Sequence, residues 1–528
     1  MAARPNVIVI LNDDMGYSDI GCYGGEVDTP ALNSLASGGV RFTQFYNTPR
    51  CSPSRASLLT GLHPHQTGIG ILTENQLPDG YEGNLNRRCV TLAEVLRASG
   101  YSTYMSGKWH VANDWFEDKS NWPLQRGFER FYGIIGGSAN YYNPITLTRD
   151  SDNIEEEALD PAYYITDAIS DNSVKFIREH REKKDNPFLL YVAYTSPHWP
   201  LHAWPEDVAK YKGRFAAGWD QLRKERLERM VREGIIDREW TLTPRDPSQP
   251  AWEDAPDKEW EQRRMEVYAA QIDRMDQGIQ RIRDELEKGR IVGNTLIIFL
   301  ADNGGCAECL LPPGSGLLAG HLARPKTKKG KRVVLGNDPS IMPGDEDTYQ
   351  SYGVAWANLS NTPFRLYKHW THEGGISTPF IVHWPSGIAA KGELRHAPAQ
   401  LTSVMPTILE ATGATYPREH NGNSILPMEG QSLTGVFDDD SAPDPMLFWE
   451  HEGNAAVRDG KWKLVKKYPG DWELYDMKLD RTETRDVSGR FPEQARKMQD
   501  AYYRWAVRCK VIPRENILGH MKRKAQEE

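Results

Sequence analysis

Cysteine is scarce. Six residues (Cys22, Cys51, Cys89, Cys306, Cys309 and Cys509) in a chain of 528 cannot make a disulfide scaffold. A chain of this length buries a core large enough to fold without such staples. Long apolar runs are also missing. Residues 7–11 (VIVIL) are far too few to span a bilayer, and no other stretch reaches that length. The first five residues lack a basic segment followed by an apolar one, so a secretory leader is not expected and the expected compartment is the cytoplasm. A basic excess is absent too. The net formal charge of −9 argues against a nucleic-acid binder or a protein of anionic membranes. There is no internal repeat and no low-complexity tail. With 39% hydrophobic and 26% charged residues, the chain reads as globular, and disorder, collagen and coiled coil are excluded.

What is present is a series of short apolar runs, each ending in polar residues. Residues 7–11 lead into Asn12-Asp13-Asp14, and 101–105 lead into Ser106-Gly107-Lys108-Trp109-His110. Residues 188–194 end at Thr195-Ser-Pro-His198, residues 295–300 at Ala301-Asp302-Asn303, and 379–384 form a fifth run. Runs rich in Val, Ile, Phe and Tyr predict strands buried on both faces. Helical periodicity lies between them. Residues 91–99 carry a Thr N-cap, Glu94 three positions on and Gly100 at the end, and residues 163–183 and 259–288 are also periodic. Alternating strands and helices predict an α/β domain with a large, mixed, mostly parallel sheet sandwiched by helices. Ligands of such sheets sit outside the carboxyl ends of the strands. Four of these ends carry Asp, Asn, Lys or His.

The expected division is a catalytic domain over 1–440 and a small α+β subdomain over 441–528. Residues 213–260 and 306–350 read as insertions. The first should form helices and loops over the surface. The second carries the basic run 326–332 (KTKKGKR), expected to be a solvated loop rather than a contact for a sulfate or phosphate polymer. After 440, short alternating runs at 446–450, 455–458, 462–466 and 472–476 predict an antiparallel sheet with a turn at Asp459-Gly460, closed by a helix over 492–509.

Asp13 and Asp14 are adjacent carboxylates at a strand end, where burial and mutual repulsion would raise their pKa values. A divalent cation resolves the conflict, and Asp302 with Asn303 adds oxygen ligands. An all-oxygen set suits Ca²⁺ or Mg²⁺ better than Zn²⁺. Either pair alone could equally be turn and cap residues. Cys51 opens CSPSRASLLTG (51–61), with Pro53 suited to a first helical turn and Gly61 to a helix end. Near a helix N-terminus, anions and a reactive group are stabilised, and Arg55 lies one turn on. The alternative is a buried structural cysteine.

This segment resembles the signature of the type I sulfatases. PNVIVILNDDMGYSDIGCYG (5–24) is similar to that family's opening strand, and GKWH (107–110), NTPFRLYK (361–368) with THEGGI (371–376), and MPTILEATG (405–413) resemble further family elements in order. The nearest likeness is to bacterial arylsulfatases of the Pseudomonas type. The resemblance implies an alkaline phosphatase-like fold and oxidation of Cys51 to formylglycine by a maturation enzyme that binds transiently. It implies one divalent cation, Ca²⁺ with Mg²⁺ or Mn²⁺ as alternatives, held by Asp13, Asp14, Asp302, Asn303 and the modified residue 51. Arg55 would anchor the formylglycine hydrate. Lys108, His198 and Lys368 would hold sulfate oxygens, and His110 would contact the hydroxyl of residue 51. One hydroxyl of the hydrate would attack sulfur and expel the alcohol, and the sulfated hemiacetal would then collapse. Asp302 is expected to take the first proton, His110 the second, and His198 or Lys368 to protonate the leaving oxygen.

The implied activity is hydrolysis of a small sulfate monoester, expected to be an aryl sulfate. A phosphonate monoester or phosphodiester, a carbohydrate sulfate, and a non-catalytic metal-binding role on the same fold stay open. Trp109, Trp199, Trp204, Trp356 and Trp370 flank the motifs and would suit an aromatic wall or plain packing. His63, His65, His202, His369 and His372 read as surface or packing residues before pocket ones. No function is assigned to Cys306 and Cys309.

Overall fold

The computed structural model describes residues 4–75, 77, 79–311, 323–440 and 445–527. Its centre is a ten-stranded sheet among the described residues. Four strands, β1 (Asn6–Asn12), β3 (Ser102–Gly107), β7 (Phe188–Ala193) and β8 (Thr295–Ala301), run parallel at the middle, and the next strand beside β3, Arg130–Ile134, continues the parallel block. On one flank lie β4 (Arg130–Ile134), β5 (Leu147–Arg149) and β6 (Asp152–Asn153). On the other lie β9 (Phe380–His383), β2 (Val40–Phe42) and β10 (Glu393–Arg395). The order across the sheet is β10-β2-β9-β8-β1-β7-β3-β4-β5-β6. Strand β9 runs antiparallel to both β8 and β2, which makes the sheet mixed.

The period of two sorts the apolar side chains to opposite faces. Val7, Val9 and Leu11 of β1 enter one core, and Ile8 and Ile10 enter the other. The first core is covered by α2 (Cys51–Thr60), α3 (Leu92–Ala98) and α6 (Val404–Thr412). The second is covered by α1 (Pro30–Ser37), α4 (Ile165–Lys183) and α5 (Lys258–Lys288). The capping box of α3 forms as its sequence predicts. Thr91 Oγ1 accepts from the Glu94 N–H at 3.1 Å, and the Thr91 N–H donates to Glu94 Oε2 at 2.7 Å.

The C-terminal part is a four-stranded antiparallel sheet, β11 (Leu447–His451), β12 (Asn454–Asp459), β13 (Trp462–Lys466) and β14 (Trp472–Asp476), with helix α7 (Pro492–Cys509) packed on it. Asp459 pairs with Trp462, so the two-residue turn is Gly460-Lys461, one position later than expected. A further helix, α8 (Arg514–Glu527), follows.

The segment 213–260 differs from expectation. Its helix Gly218–Arg232 buries Trp219, Arg226 and Met230, and Trp219 and Trp252 both pack on Trp356. Trp219 and Trp252 give this charge-dense segment apolar area that a surface loop would leave wet. Residues 312–322 of the second expected insertion lie outside the described residues. In the basic run, Lys331 pairs with Asp347 and Lys328 donates to the Asp160 carbonyl at 2.7 Å, so acidic and carbonyl groups of the chain already satisfy it in part. No helix among the described residues is long and apolar enough to cross a membrane.

Candidate active site

The polar residues that follow β1, β3, β7 and β8 converge where these strands end. Backbone bonds fix the register of the loops. Asp13 donates its N–H to Ser196 O, Asp302 to Asn12 O, and Lys108 to Ala193 O. Gly107, which precedes Lys108, has φ 121°, and a Cβ there would lie 1.9 Å from the Ala193 carbonyl oxygen. Only glycine allows that approach.

Helix α2 starts at Cys51, and all ten of its residues are buried. Arg55, one turn on, donates to Asp302 Oδ2 at 3.0 Å and to the Lys108 carbonyl at 2.9 Å. Lys108 Nζ reaches Asp13 Oδ2 at 2.6 Å. Lys368 Nζ reaches Asp14 Oδ2 at 2.8 Å, and Asn303 Nδ2 donates to Asp14 Oδ1 at 2.7 Å. His198 Nδ1 lies 2.6 Å from the Trp199 carbonyl, so Nδ1 carries the proton and Nε2 faces Lys368 Nζ at 3.5 Å. His110 Nδ1 stands 3.5 Å from Cys51 Sγ. The ten positions Asp13, Asp14, Cys51, Arg55, Lys108, His110, His198, Asp302, Asn303 and Lys368, spread over 356 residues of sequence, thus form one buried cluster.

Its electrostatics are those of a crowded charge centre. Burial pushes the Cys51 thiol up, but Lys108, His110 and Lys368 outweigh it and bring it down to about 5. Burial and the charge of Asp13 hold Asp302 well above the carboxylate range. Asp13 itself is held below that range. Burial opposes this, and Lys108, His198 and Arg55 prevail. Burial lowers His198, which keeps its imidazole neutral.

Two acceptors at the centre, Asp13 Oδ1 and Asn303 Oδ1, are buried without a hydrogen-bond partner among the described residues. Asp13, Asp14 and His198 offer ligand atoms within 4.8 Å of one another. Buried oxygens that lack donors, beside three carboxylates, fit a hard divalent cation.

Sequence reasoning missed part of the cluster. Glu308 accepts from Arg50 at 2.7 Å and from Trp199 Nε1 at 2.9 Å, and lies 3.8 Å from Lys368 Nζ. A signal was available: Glu308 lies six residues after Asp302, on the loop that leaves the same strand. Cys306, a buried free thiol, donates to Glu308 at 3.4 Å, while Cys309 is free and exposed. The tryptophans divide. Trp109 and Trp356 are fully buried in the cores, whereas Trp199 packs at a tilt against His198 and Trp370 lines a cleft of about 360 Å³ with Arg50, Glu308, Tyr367 and Lys368. His202 is a core residue, with Nε2 on the Thr348 carbonyl at 2.6 Å, and His65 is bonded to Glu450 at 2.7 Å.

Residues 5–414 match the Sulfatase family, and residues 364–502 match the family described as N-sulphoglucosamine sulphohydrolase, C-terminal. The chain is 32% identical to an arylsulfatase of Klebsiella aerogenes, over 82% of this chain and 92% of that one. It is 30% identical to an uncharacterised sulfatase of Schizosaccharomyces pombe, over 93% and 91% of the two chains. The solved structure of Ps i-CgsB in complex with k-i-k-neocarrahexaose superposes with a TM-score of 0.66 at 24% identity, over 95% of this chain and 93% of that one, a likeness of fold. Motif order, sheet topology and family match agree: the chain belongs to the sulfatase family.

Proposed function

We propose that this chain is a sulfuric ester hydrolase acting on aryl sulfate monoesters, with residue 51 as the nucleophile after oxidation of Cys51 to formylglycine. The observation that carries this reading is the convergence of Arg55, Lys108 and Lys368 with four oxygen-ligand residues around the start of α2. A sulfate monoester is a tetrahedral anion whose non-bridging oxygens need positive charge during displacement.

Asp13, Asp14, Asp302 and Asn303 would hold the divalent cation, Ca²⁺ by ligand chemistry, together with residue 51. When bound, it supplies Lewis-acid charge to a sulfate oxygen. The formylglycine hydrate supplies an oxygen nucleophile with a second hydroxyl, which lets the sulfated residue release its product. With Asp13 and Asp14 neutralised, Lys108 and Lys368 are free to turn to sulfate oxygens. Arg55, fixed by Asp302 and the Lys108 carbonyl, orients residue 51. Asp302 and His110 are the candidate proton acceptors, and His110 Nδ1 stands 3.5 Å from the sulfur of residue 51. His198 presents a bare Nε2 to Lys368, so Lys368 holds the proton nearer the leaving oxygen. Residues 1–440 are read as the catalytic domain and 441–528 as a small C-terminal unit with an apolar cluster of its own.

A carbohydrate sulfate is the second reading. The cleft beside Lys368 carries Arg50, Asp246, Ser248 and Lys467 as well as Trp370, a polar lining that suits hydroxyls.

Mass spectrometry of the peptide bearing residue 51, from a host with maturation activity, should show conversion to formylglycine. Parallel assays on an aryl sulfate, a sulfated sugar, a phosphodiester and a phosphonate monoester should give the largest kcat/KM for the aryl sulfate. An unmodified thiol with activity intact, or a phosphonate preference, would sink the proposal. Cys51→Ala should abolish turnover while the fold persists by circular dichroism.

A further inference from the structure

Beside the active site, a second cluster differs in its chemistry. His369 follows Lys368 directly, and its N–H donates to the Pro49 carbonyl at 2.6 Å, two residues before Cys51. Its Nδ1 lies 3.1 Å from Glu452 Oε2. His451, the last residue of β11, places Nε2 3.8 Å from the same oxygen. The ligand atoms of the three residues all lie within 4.8 Å of one another. Arg514 holds the other carboxylate oxygen, Glu452 Oε1, at 2.9 Å, which leaves Oε2 directed at the imidazoles.

His451 supplies the independent observation. It is buried at 2% exposure, yet neither Nδ1 nor Nε2 has a hydrogen-bond partner among the described residues. A buried imidazole without partners calls for an explanation. Burial also lowers its pKa well below the ordinary value, which keeps it in the neutral form that ligates metals.

We propose that His369, His451 and Glu452 form a zinc site, separate from the all-oxygen centre at Asp13 and Asp14. Two imidazoles and a carboxylate suit Zn²⁺ rather than Ca²⁺. Tetrahedral ligands on bonds of about 2.0–2.2 Å stand about 3.3–3.5 Å apart, and the two separations to Glu452 Oε2 bracket that range. The ion would join the residue after Lys368 to the hairpin between β11 and β12. It acts as a clamp that fixes the Lys368 loop against the C-terminal sheet, its fourth position open to water.

The test uses untagged, full-length protein loaded with Ca²⁺ and titrated with Zn²⁺, with both metals quantified by plasma mass spectrometry after gel filtration. One Zn²⁺ per chain is expected, with Ca²⁺ content unchanged. His451→Ala and His369→Asn should each weaken zinc binding at least about tenfold. Cys309→Ser, which removes the exposed thiol, should leave it intact. Because His369 is half-buried, its variant keeps the test valid should His451→Ala fold poorly. Absence of bound zinc, retention of zinc in both histidine variants, its loss in Cys309→Ser, or release of Ca²⁺ in step with zinc uptake would each overturn the proposal.

Discussion

At the residue scale, the cations of the cluster are not equivalent. The planar fork of Arg55 is committed to Asp302 and to the Lys108 carbonyl. The ammonium group of Lys108 holds one carboxylate oxygen, that of Lys368 bonds Asp14 and lies near Glu308, and both can be re-aimed. Lys108→Met and Lys368→Met should therefore each lower kcat/KM for the preferred sulfate ester by about 10²–10³-fold, mainly through kcat. Steady-state kinetics with metal content measured in parallel checks this. An effect confined to KM would mean that these lysines act in ground-state binding alone. Asp13, Asp14, Asp302 and Asn303 were legible because carboxylates and amides at strand ends announce themselves, whereas Arg55, Lys108, His110, His198 and Lys368 were expected from the resemblance to the sulfatases. Glu308 was not. It sits in a loop with no periodicity, and its partner Arg50 is 258 residues away, a contact that folding alone creates.

At the scale of elements, the apolar runs gave five of the ten strands described in the central sheet, β1, β3, β7, β8 and β9, to within two residues, since strands buried on both faces leave no polar positions to blur their ends. The antiparallel direction of β9 was not legible, because a four-residue buried run reads the same in either direction. The loop after β7 illustrates how such elements are fastened. His202 accepts from the Tyr141 N–H at 3.3 Å through Nδ1 and donates through Nε2 to the Thr348 carbonyl at 2.6 Å. Burial brings its pKa down to about 4 from an ordinary 6.5. A lowered histidine binds its proton more weakly in the folded state than in the unfolded one. Its contribution is therefore complete above pH 6.5 and lost as pH falls from 6.5 toward 4, by roughly 3 kcal/mol. Denaturant unfolding at pH 7, 5.5 and 4.5 should show this loss, and His202→Asn should flatten the slope. Parallel slopes in the two proteins would refute the assignment.

At the scale of the molecule, the two sheets meet through buried charge. Lys463 of β13 bonds Glu373 and Glu483, each at 2.8 Å, and Arg481 also reaches Glu373 at 2.8 Å. Glu373 lies five residues after Lys368, so the C-terminal sheet holds the segment that delivers Lys368 to the cluster. Lys463→Met takes the cation from Glu483, leaves Glu373 to Arg481 alone, and should cost about 3–5 kcal/mol. A lower denaturant midpoint together with reduced kcat/KM is expected, and an unchanged midpoint would contradict the account. The burial of helix α2 has a further consequence, one of timing. Cys51 is 3% exposed and the whole first turn around it is enclosed. A maturation enzyme cannot take this segment into its own cleft once the sheet has closed over it. If residue 51 is oxidised, chain closure and modification race each other during synthesis, and the fraction of active molecules records which came first. Slower elongation or a destabilised Lys463 network would then raise the modified fraction per chain, even where it lowers the stability of the finished protein.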